Sequence, residues 1–303
     1  MEIAWLADFL ALAECMNFSR AAAQRNVTQP AFSRRIRALE AWVGSPLFDR
    51  GTHRLALTPA GEAFRPVAEE VLARLERGVQ ETRDAGRRTA ATLRFASTHA
   101  LSLTFFPAWL RTMGTTIAAG TVELVADHME ACERLMLDGQ AQFLLCHDHP
   151  AASNKLDTDD FQSIHLGDDV LIPVTACDDD GRPCHLLPGA PENPVPHLAF
   201  SEKSGMGRII AAARAKERRS AWLKPVFTSH LAIVLKTLAL DGRGIAWSPL
   251  SLIADQLAPE GKLARAGDET WDIPIEIRLF RPSARLNENG EAFWAAIKKT
   301  ALM

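Results

Sequence analysis

No apolar run in the 303 residues approaches the ~18 that a membrane-spanning helix needs, so no membrane partner is expected. The first residues, Met1-Glu2-Ile3-Ala4-Trp5, lack a basic stretch, and Asp8 and Glu14 interrupt the apolar positions that follow, which argues against a secretory signal. Cysteine is sparse: five residues (Cys15, Cys132, Cys146, Cys177, Cys184), odd in number and scattered, fit a reducing cytoplasm better than a disulfide framework. No Gly-Lys-Ser/Thr follows Gly242-Arg243-Gly244, which therefore reads as a helix-to-strand turn and not a phosphate loop. No Gly-x-Ser-x-Gly elbow and no suggestively spaced acid pair is present, so neither catalysis nor a cofactor is expected. Metal binding is not expected either. Adjacent residues of Cys146-His147-Asp148-His149 would face opposite sides of a strand, and Cys177, Cys184 and His185 lack zinc-site spacing.

What is present is an ordinary globular composition, 47% hydrophobic and 23% charged, long enough for about two domains. The net charge of -3 conceals an uneven distribution. Between Asn17 and Ala56 seven arginines face only Glu40 and Asp49, a local +5 that leaves about -8 for the rest. A basic head on an acidic body predicts a polyanionic partner for the head alone.

That head patterns as three helices. Trp5, Phe9, Leu12 or Ala13, and Met16 recur at helical spacing. Asn17 breaks the first helix, and Ser19 is the expected cap of a short, alanine-rich second helix over 20–24. Asn26 suits a left-handed turn. Thr28 with Gln29-Pro30 opens a third helix that should run to about Val43 and end at Gly44. Phe32, Ile36, Leu39 and Val43 form its buried stripe. Gln29, Pro30, Ser33, Arg34 and Arg37 lie near its N-terminal end, where a helix-turn-helix reads base edges. Gln can pair with adenine and Arg with guanine in the major groove. Two short strands, 47–50 and 54–57, then suggest a hairpin wing whose Arg50, His53 and Arg54 can reach phosphates, and Thr58-Pro59 opens a further helix.

The runs Asn17-Phe18-Ser19-Arg20-Ala21-Ala22, Val27-Thr28-Gln29-Pro30-Ala31-Phe32-Ser33-Arg34-Arg35-Ile36-Arg37-Ala38-Leu39-Glu40, Leu47-Phe48-Asp49-Arg50 and Leu57-Thr58-Pro59-Ala60-Gly61 resemble the LysR-type transcriptional regulators in order and spacing. The resemblance implies an N-terminal winged helix-turn-helix (1–59), a dimerising linker helix with a hinge (60–88), and a two-lobed α/β effector domain of the periplasmic-binding-protein kind (89–303). Lobe I is expected from 91–164 and 270–303, lobe II from 168–266. The implied partners are double-stranded promoter DNA with a palindromic site, a small-molecule or anionic effector, and further copies of the chain as a homodimer or homotetramer. The competing reading is an enzyme or solute-binding protein on the same bilobed fold. It leaves the arginine-rich head unexplained.

Residues from Ala60 to about Asp84 read as one long helix with a narrow stripe of Phe64, Val67, Val71, Leu75 and Val79, the pattern of a coiled-coil seam. Gly86-Arg87-Arg88-Thr89 reads as the hinge. Beyond it, expected strands (93–96, 122–126, 143–146, 170–174, 197–200, 226–228, 245–247, 275–280) alternate with expected helices (101–113, 131–137, 207–218, 231–240, 291–300), predicting an α/β domain with parallel sheets.

Three stretches should edge a cleft at strand ends and helix starts: Ser97-Thr98-His99, Ser201 to Met206, and Thr228-Ser229-His230. With Cys146 as the best-placed thiol, the expected effector residues are Ser97, Thr98, His99, Cys146, Ser201, Met206, Ser229 and His230. Ala100-Leu101-Ser102-Leu103, Phe106-Pro107, Met206-Gly207-Arg208 and Gly244-Ile245-Ala246-Trp247 further resemble a hypochlorite-responsive member of the family. That likeness implies methionine oxidation as a trigger, at Met113 and Met206. The third sensing methionine has no counterpart, since His230 and Leu231 stand there. The glycines flanking Met206 predict an accessible side chain.

Overall fold

The computed structural model describes residues 2–49, 51, 55–86, 92–113, 121–216, 221–257 and 261–301. They form two compact units, Met1–Gly86 and Arg87–Met303. In the first, α1 (Ile3–Cys15), α2 (Phe18–Gln24) and α3 (Gln29–Val43) close around Leu6, Phe9, Leu12, Phe32, Ile36 and Leu39. The turn between α2 and α3 places Asn26 at φ 54, and Gly44 ends α3 at φ 80, both as the sequence suggests. The cap of α2 differs: Asn17, not Ser19, accepts the Arg20 N–H at 3.0 Å, which starts the helix two residues earlier. An Asn side chain in extended backbone is a strong N-cap, so the residue that breaks α1 also opens α2.

β1 (Phe48–Asp49) and β2 (Ala56–Leu57) pair antiparallel as the base of the expected wing. Arg50, His53 and Arg54 lie outside the described residues, as does the hinge over 87–89. The Glu40 carboxylate accepts the Leu47 and Phe48 N–H groups at 3.0 and 3.2 Å, tying the end of α3 to the start of the wing. Thr58 donates to the Pro46 carbonyl at 2.7 Å and accepts the Gly61 N–H. A Cβ at Gly61 would fall 2.2 Å from the Leu47 carbonyl oxygen, so only glycine permits this helix start to close against the wing.

α4 (Pro59–Gly86) runs for 28 residues. Phe64, Ala68 and Leu72 turn onto the core of the unit. Val67, Val71, Leu75 and Val79 form a separate row, 40–48% exposed. The expected stripe therefore divides: Phe64 belongs to the core and the other four to the outer row.

The second unit is two-lobed, but its main sheet is mixed. Its strands, in the order β10 (Leu263–Arg265), β6 (Phe161–Ala176), β11 (Ile273–Pro282), β5 (Phe143–Asp148), β3 (Leu93–Thr98) and β4 (Val122–Asp127), form one sheet, with β9 (Ala246–Pro249) also on β6. Only β5, β3 and β4 are mutually parallel; β6, β9, β10 and β11 pair antiparallel. β7 (Val195–Phe200) and β8 (Leu223–Ser229) make a separate parallel pair. Lobe I holds β3–β5, α5 (His99–Thr104), α6 (Phe106–Thr112), α7 (Met129–Leu137) and α11 (Glu288–Ala301). Lobe II holds β7–β10, α8 (Gly205–Lys216), α9 (Ala232–Leu240) and α10 (Leu250–Ile253). The long strands β6 and β11 belong to both. Phe95, Phe143 and Phe293 centre the core of lobe I; Trp247, Ile209 and Ile245 centre that of lobe II.

Candidate nucleic-acid interface and effector cavity

Gln29, Pro30, Arg34 and Arg37 are exposed on α3, and Ser33 is half-buried beneath Arg37, whose Nη2 donates to its hydroxyl at 3.4 Å. The basic head is less free than its composition suggests. Asp8, fully buried on α1, accepts Arg25 Nε at 2.8 Å and Arg35 Nη1 at 3.2 Å. Those two arginines tie α1 to α2 and α3. Arg20, Arg34 and Arg37 remain on the surface with their charge outward.

In the second unit a cavity of about 390 Å³, its open mouth included, is built where β3, β4 and β7 end and α7, α8 and α9 begin. Its enclosed part has room for about two water-sized groups. Thr98, His99 and Ala100 line it from β3 and α5; Asp127, His128 and Met129 from β4 and α7; His147 from β5. Phe200, Ser204, Gly205, Met206, His230 and Ala232 complete the wall from lobe II. Strand ends and helix starts meet here because crossover helices leave the carboxyl ends of parallel strands, which is where ligands sit in open α/β sheets.

Of the eight expected effector residues, Thr98, His99, Met206 and His230 line the cavity. The geometry does not bring the other four to its wall. Ser97 is fully buried inside β3 and donates to the Thr98 carbonyl. Ser201 lies in the turn ahead of α8, where its N–H bonds the Ser229 carbonyl. Ser229 accepts the Leu231 N–H at 3.1 Å, a local turn bond. Cys146 is fully buried in the core of lobe I, where burial pushes its thiol well above the usual range. Met113 is buried in the apolar core of lobe I.

Met206 is 7% exposed, packed among Ile209, Ile210 and Trp247, so the expectation of an accessible side chain is corrected. The glycines serve close approach instead. A Cβ at Gly207 would lie 2.3 Å from the Ser201 carbonyl oxygen, and one at Gly205 would press on Met129 at 3.3 Å.

Asp127, His128, Met129 and His147 lie outside the expected stretches, whereas Ser204 falls within Ser201 to Met206. The signal for Asp127-His128 was the same as for Thr98-His99, a polar pair between a strand and a helix. The sequence pointed to Cys146 for the effector, yet strand alternation turns Cys146 into the core and its neighbour His147 to the cavity. Asp127 Oδ1 meets His128 Nδ1 at 2.6 Å, and this hydrogen bond holds the carboxyl below its usual range. His147 Nε2 meets Asp169 Oδ2 at 3.3 Å, and Ser251 Oγ donates to the same oxygen at 2.5 Å. Burial alone would raise Asp169, but these hydrogen bonds and that of the Val170 N–H bring it down. His147 Nδ1 and Thr98 Oγ1 are buried with no hydrogen-bond partner. Orphaned polar atoms on a cavity wall are places for a ligand to bond. Among the described residues no group of three or more His, Cys, Asp or Glu could hold a metal ion.

A three-helix head with a hairpin beside it, and a bilobed α/β body with a small cavity, have the architecture of a DNA-binding regulator. Residues 3–62 match the model of the bacterial regulatory helix-turn-helix protein, lysR family, and 86–302 match the LysR substrate binding domain. The chain belongs to the LysR family of DNA-binding transcriptional regulators. It is 34% identical over 304 residues to the HTH-type transcriptional regulator YjiE of Escherichia coli K12, covering 100% of this chain and 96% of that protein. Full-length HypT of Salmonella typhimurium, a hypochlorite-specific LysR-type regulator, is 32% identical, with a TM-score of 0.60 and coverage of 100% and 99%. DarR of Vibrio fischeri, solved in complex with DNA, is 33% identical, with a TM-score of 0.58 and coverage of 98% of both chains. The named relatives are regulators, not enzymes.

Proposed function

We propose that the protein is a cytoplasmic, homo-oligomeric regulator that reads a palindromic DNA site with α3 and responds to a small anion in the lobe cavity. The observation that carries the effector reading is the Thr98 hydroxyl, buried with no hydrogen-bond partner, on a wall that also holds His99, His128, His147 and His230. The proposed domain boundaries are 1–59, 60–88 and 89–303. For DNA, Gln29, Pro30, Ser33, Arg34 and Arg37 face base edges, while Arg50, His53 and Arg54 reach phosphates from the wing. The exposed row Val67, Val71, Leu75 and Val79 supports pairing of two linker helices. Apolar residues exposed on the edge strands β4 (Leu124, Val125) and β8 (Val226, Phe227) support further contact between copies. A symmetric pair sets two recognition helices one DNA turn apart.

An electrophoretic shift series on the protein's own upstream DNA tests this. Arg34→Ala should lose about 1–3 kcal/mol for the specific site and little for random DNA. Val71→Asp should reduce binding to the full palindrome while leaving weak binding to a half-site. Equal affinity of wild type and both variants for specific and random DNA would sink the reading.

A second reading, oxidant sensing at Met206, is favoured by the presence of two thioethers, Met129 and Met206, on the cavity wall. Oxidation would replace a packed apolar sulfur by a polar sulfoxide within the lobe II core and unsettle the helix that edges the cavity. Dilute hypochlorite should then alter promoter binding of the parent and not of Met206→Ile, with mass spectrometry locating the added oxygen. An identical response of both proteins removes Met206 from the signal.

A further inference from the structure

The cavity concentrates histidine to an extent that its size does not require. The rings of His99 and His230 lie 5.8 Å apart, and those of His128 and His230 lie 5.5 Å apart. His147 forms the floor, only 5% exposed, with its Nε2 engaged by Asp169. When that nitrogen carries the proton donated to the carboxylate, Nδ1 of the neutral ring, buried without a partner, is an acceptor. It presents an N–H only when the ring is protonated.

The charges facing the cluster are few. From the β4–α7 side comes Asp127, bound to His128. Behind β5 stands Asp169, bound to His147 and Ser251. The α8 side contributes Ser204, Gly205 and Met206, the β7 side Phe200, and the α9 side Ala232, none of them charged. Among the described lining residues there is no lysine and no arginine. Beyond the N-terminal ends of the helices that begin here, the lining side chains that can carry positive charge are therefore the histidines.

Resting on the anion reading above, we infer that the cavity takes a small, singly charged inorganic anion together with protons on the His99–His128–His230 cluster, which makes the regulator an acid-dependent anion sensor. Size and charge suggest the ligand class: the enclosed part has room for about two water-sized groups, and the lining has no guanidinium or ammonium group to balance a multiply charged ligand. Of the three rings, His99 resists protonation. At His99, burial lowers the proton affinity first, Asp127 opposes that, and His230 and His128 lower it again. An anion placed among the rings reverses the balance, because it favours each imidazolium. By linkage, whatever raises proton binding when the anion is present raises anion binding when the proton is present. Affinity therefore grows as pH falls through the imidazole range.

Chloride is the probe, titrated calorimetrically into the full chain at constant ionic strength with bulky gluconate as the balancing anion. Affinity should rise about fivefold or more between about pH 7.5 and pH 6.0, the span over which an imidazole of ordinary pKa takes up its proton. Titration in two buffers of different ionisation enthalpy should show net proton uptake on binding. His99→Gln with His230→Gln should flatten the pH dependence, with circular dichroism confirming the fold and each single variant showing part of the effect. Binding with no pH dependence overturns the proton coupling and leaves the anion reading standing. Unchanged pH dependence in the His variants overturns the assignment to this cluster. Absence of chloride binding at every pH overturns both.

Discussion

Glu133→Ala should destabilise the effector unit by about 3–5 kcal/mol, the range for breaking one side of a buried ion pair. The Glu133 carboxylate on α7 is fully buried and receives Arg208 Nη1 at 2.6 Å and Nη2 at 2.9 Å from α8. Its Oε1 also accepts the Lys155 N–H at 3.2 Å. Alanine leaves a mostly buried guanidinium and an amide with no acceptor, and the two lobes lose the clasp that joins the helices beneath the cavity. The loss should appear as a lower urea midpoint for the tryptophan signal of the effector unit, where Trp109, Trp247, Trp271 and Trp294 are buried. The double change Glu133→Leu with Arg208→Met should recover most of the stability, because a well-packed apolar pair replaces two desolvated charges. A loss under about 1 kcal/mol for the single variant would mean that water reaches the pair and the clasp is loose.

Phe95→Ala should cost a comparable amount, about 3–5 kcal/mol, by a different route. Phe95 is 1% exposed, and its ring centroid lies 5.3 Å from Phe106, 5.2 Å from Phe143, 5.4 Å from Phe293 and 6.2 Å from Trp109. Truncation removes transferred apolar area, several favourable edge-to-face contacts and the filling of a tightly packed site. Because the chain has two units, its unfolding is best followed by a probe confined to the second. A variant that melts with the parent, while its DNA-binding unit is also unchanged, would show that the aromatic cluster repacks around the missing ring. Phe95→Leu, which keeps most of the volume, should fall between the two.

The DNA-binding head was legible almost residue by residue, since its information is local. Apart from the α2 cap, which falls on Asn17 and not Ser19, its signals are each decided within four residues: a positive-φ Asn26, a proline in the first turn of α3 and a glycine beyond its end. Asp8 was not legible. Its burial depends on Arg25 and Arg35 reaching it from two other helices, and a carboxylate inside an apolar repeat gives no sign of such partners. In the second unit the longer apolar strands were found, while the three-residue β10 was not. The first half of β6, with Gln162, His165, Asp168 and Asp169, escaped because half-exposed polar sequence reads as loop. Strand direction escaped too: an apolar run is the same whether its neighbour runs with it or against it, so an expected parallel sheet proved mixed. The cavity was half legible. Residues next to helix starts were correctly drawn together, but a glycine's purpose around Met206 depends on the distance to a carbonyl that no spacing rule reveals.

The shared strands β6 and β11 have a mechanical consequence. Pairing persists along both of them from Phe161 to Leu171 and from Ile273 to Pro282, with one register shift between Ile277 and Arg278, opposite Gly167 and His165. A body divided by flexible loops swings open freely, but one divided by a continuous hydrogen-bonded ribbon resists extension and yields most readily in torsion. Ligand entry and release should therefore twist one half of the sheet against the other by small angles centred on the irregular step. If the cavity is occupied as proposed, the energy of that twist would be stored along the ladder as elastic strain, recorded in the pitch of two strands rather than in the position of a lid.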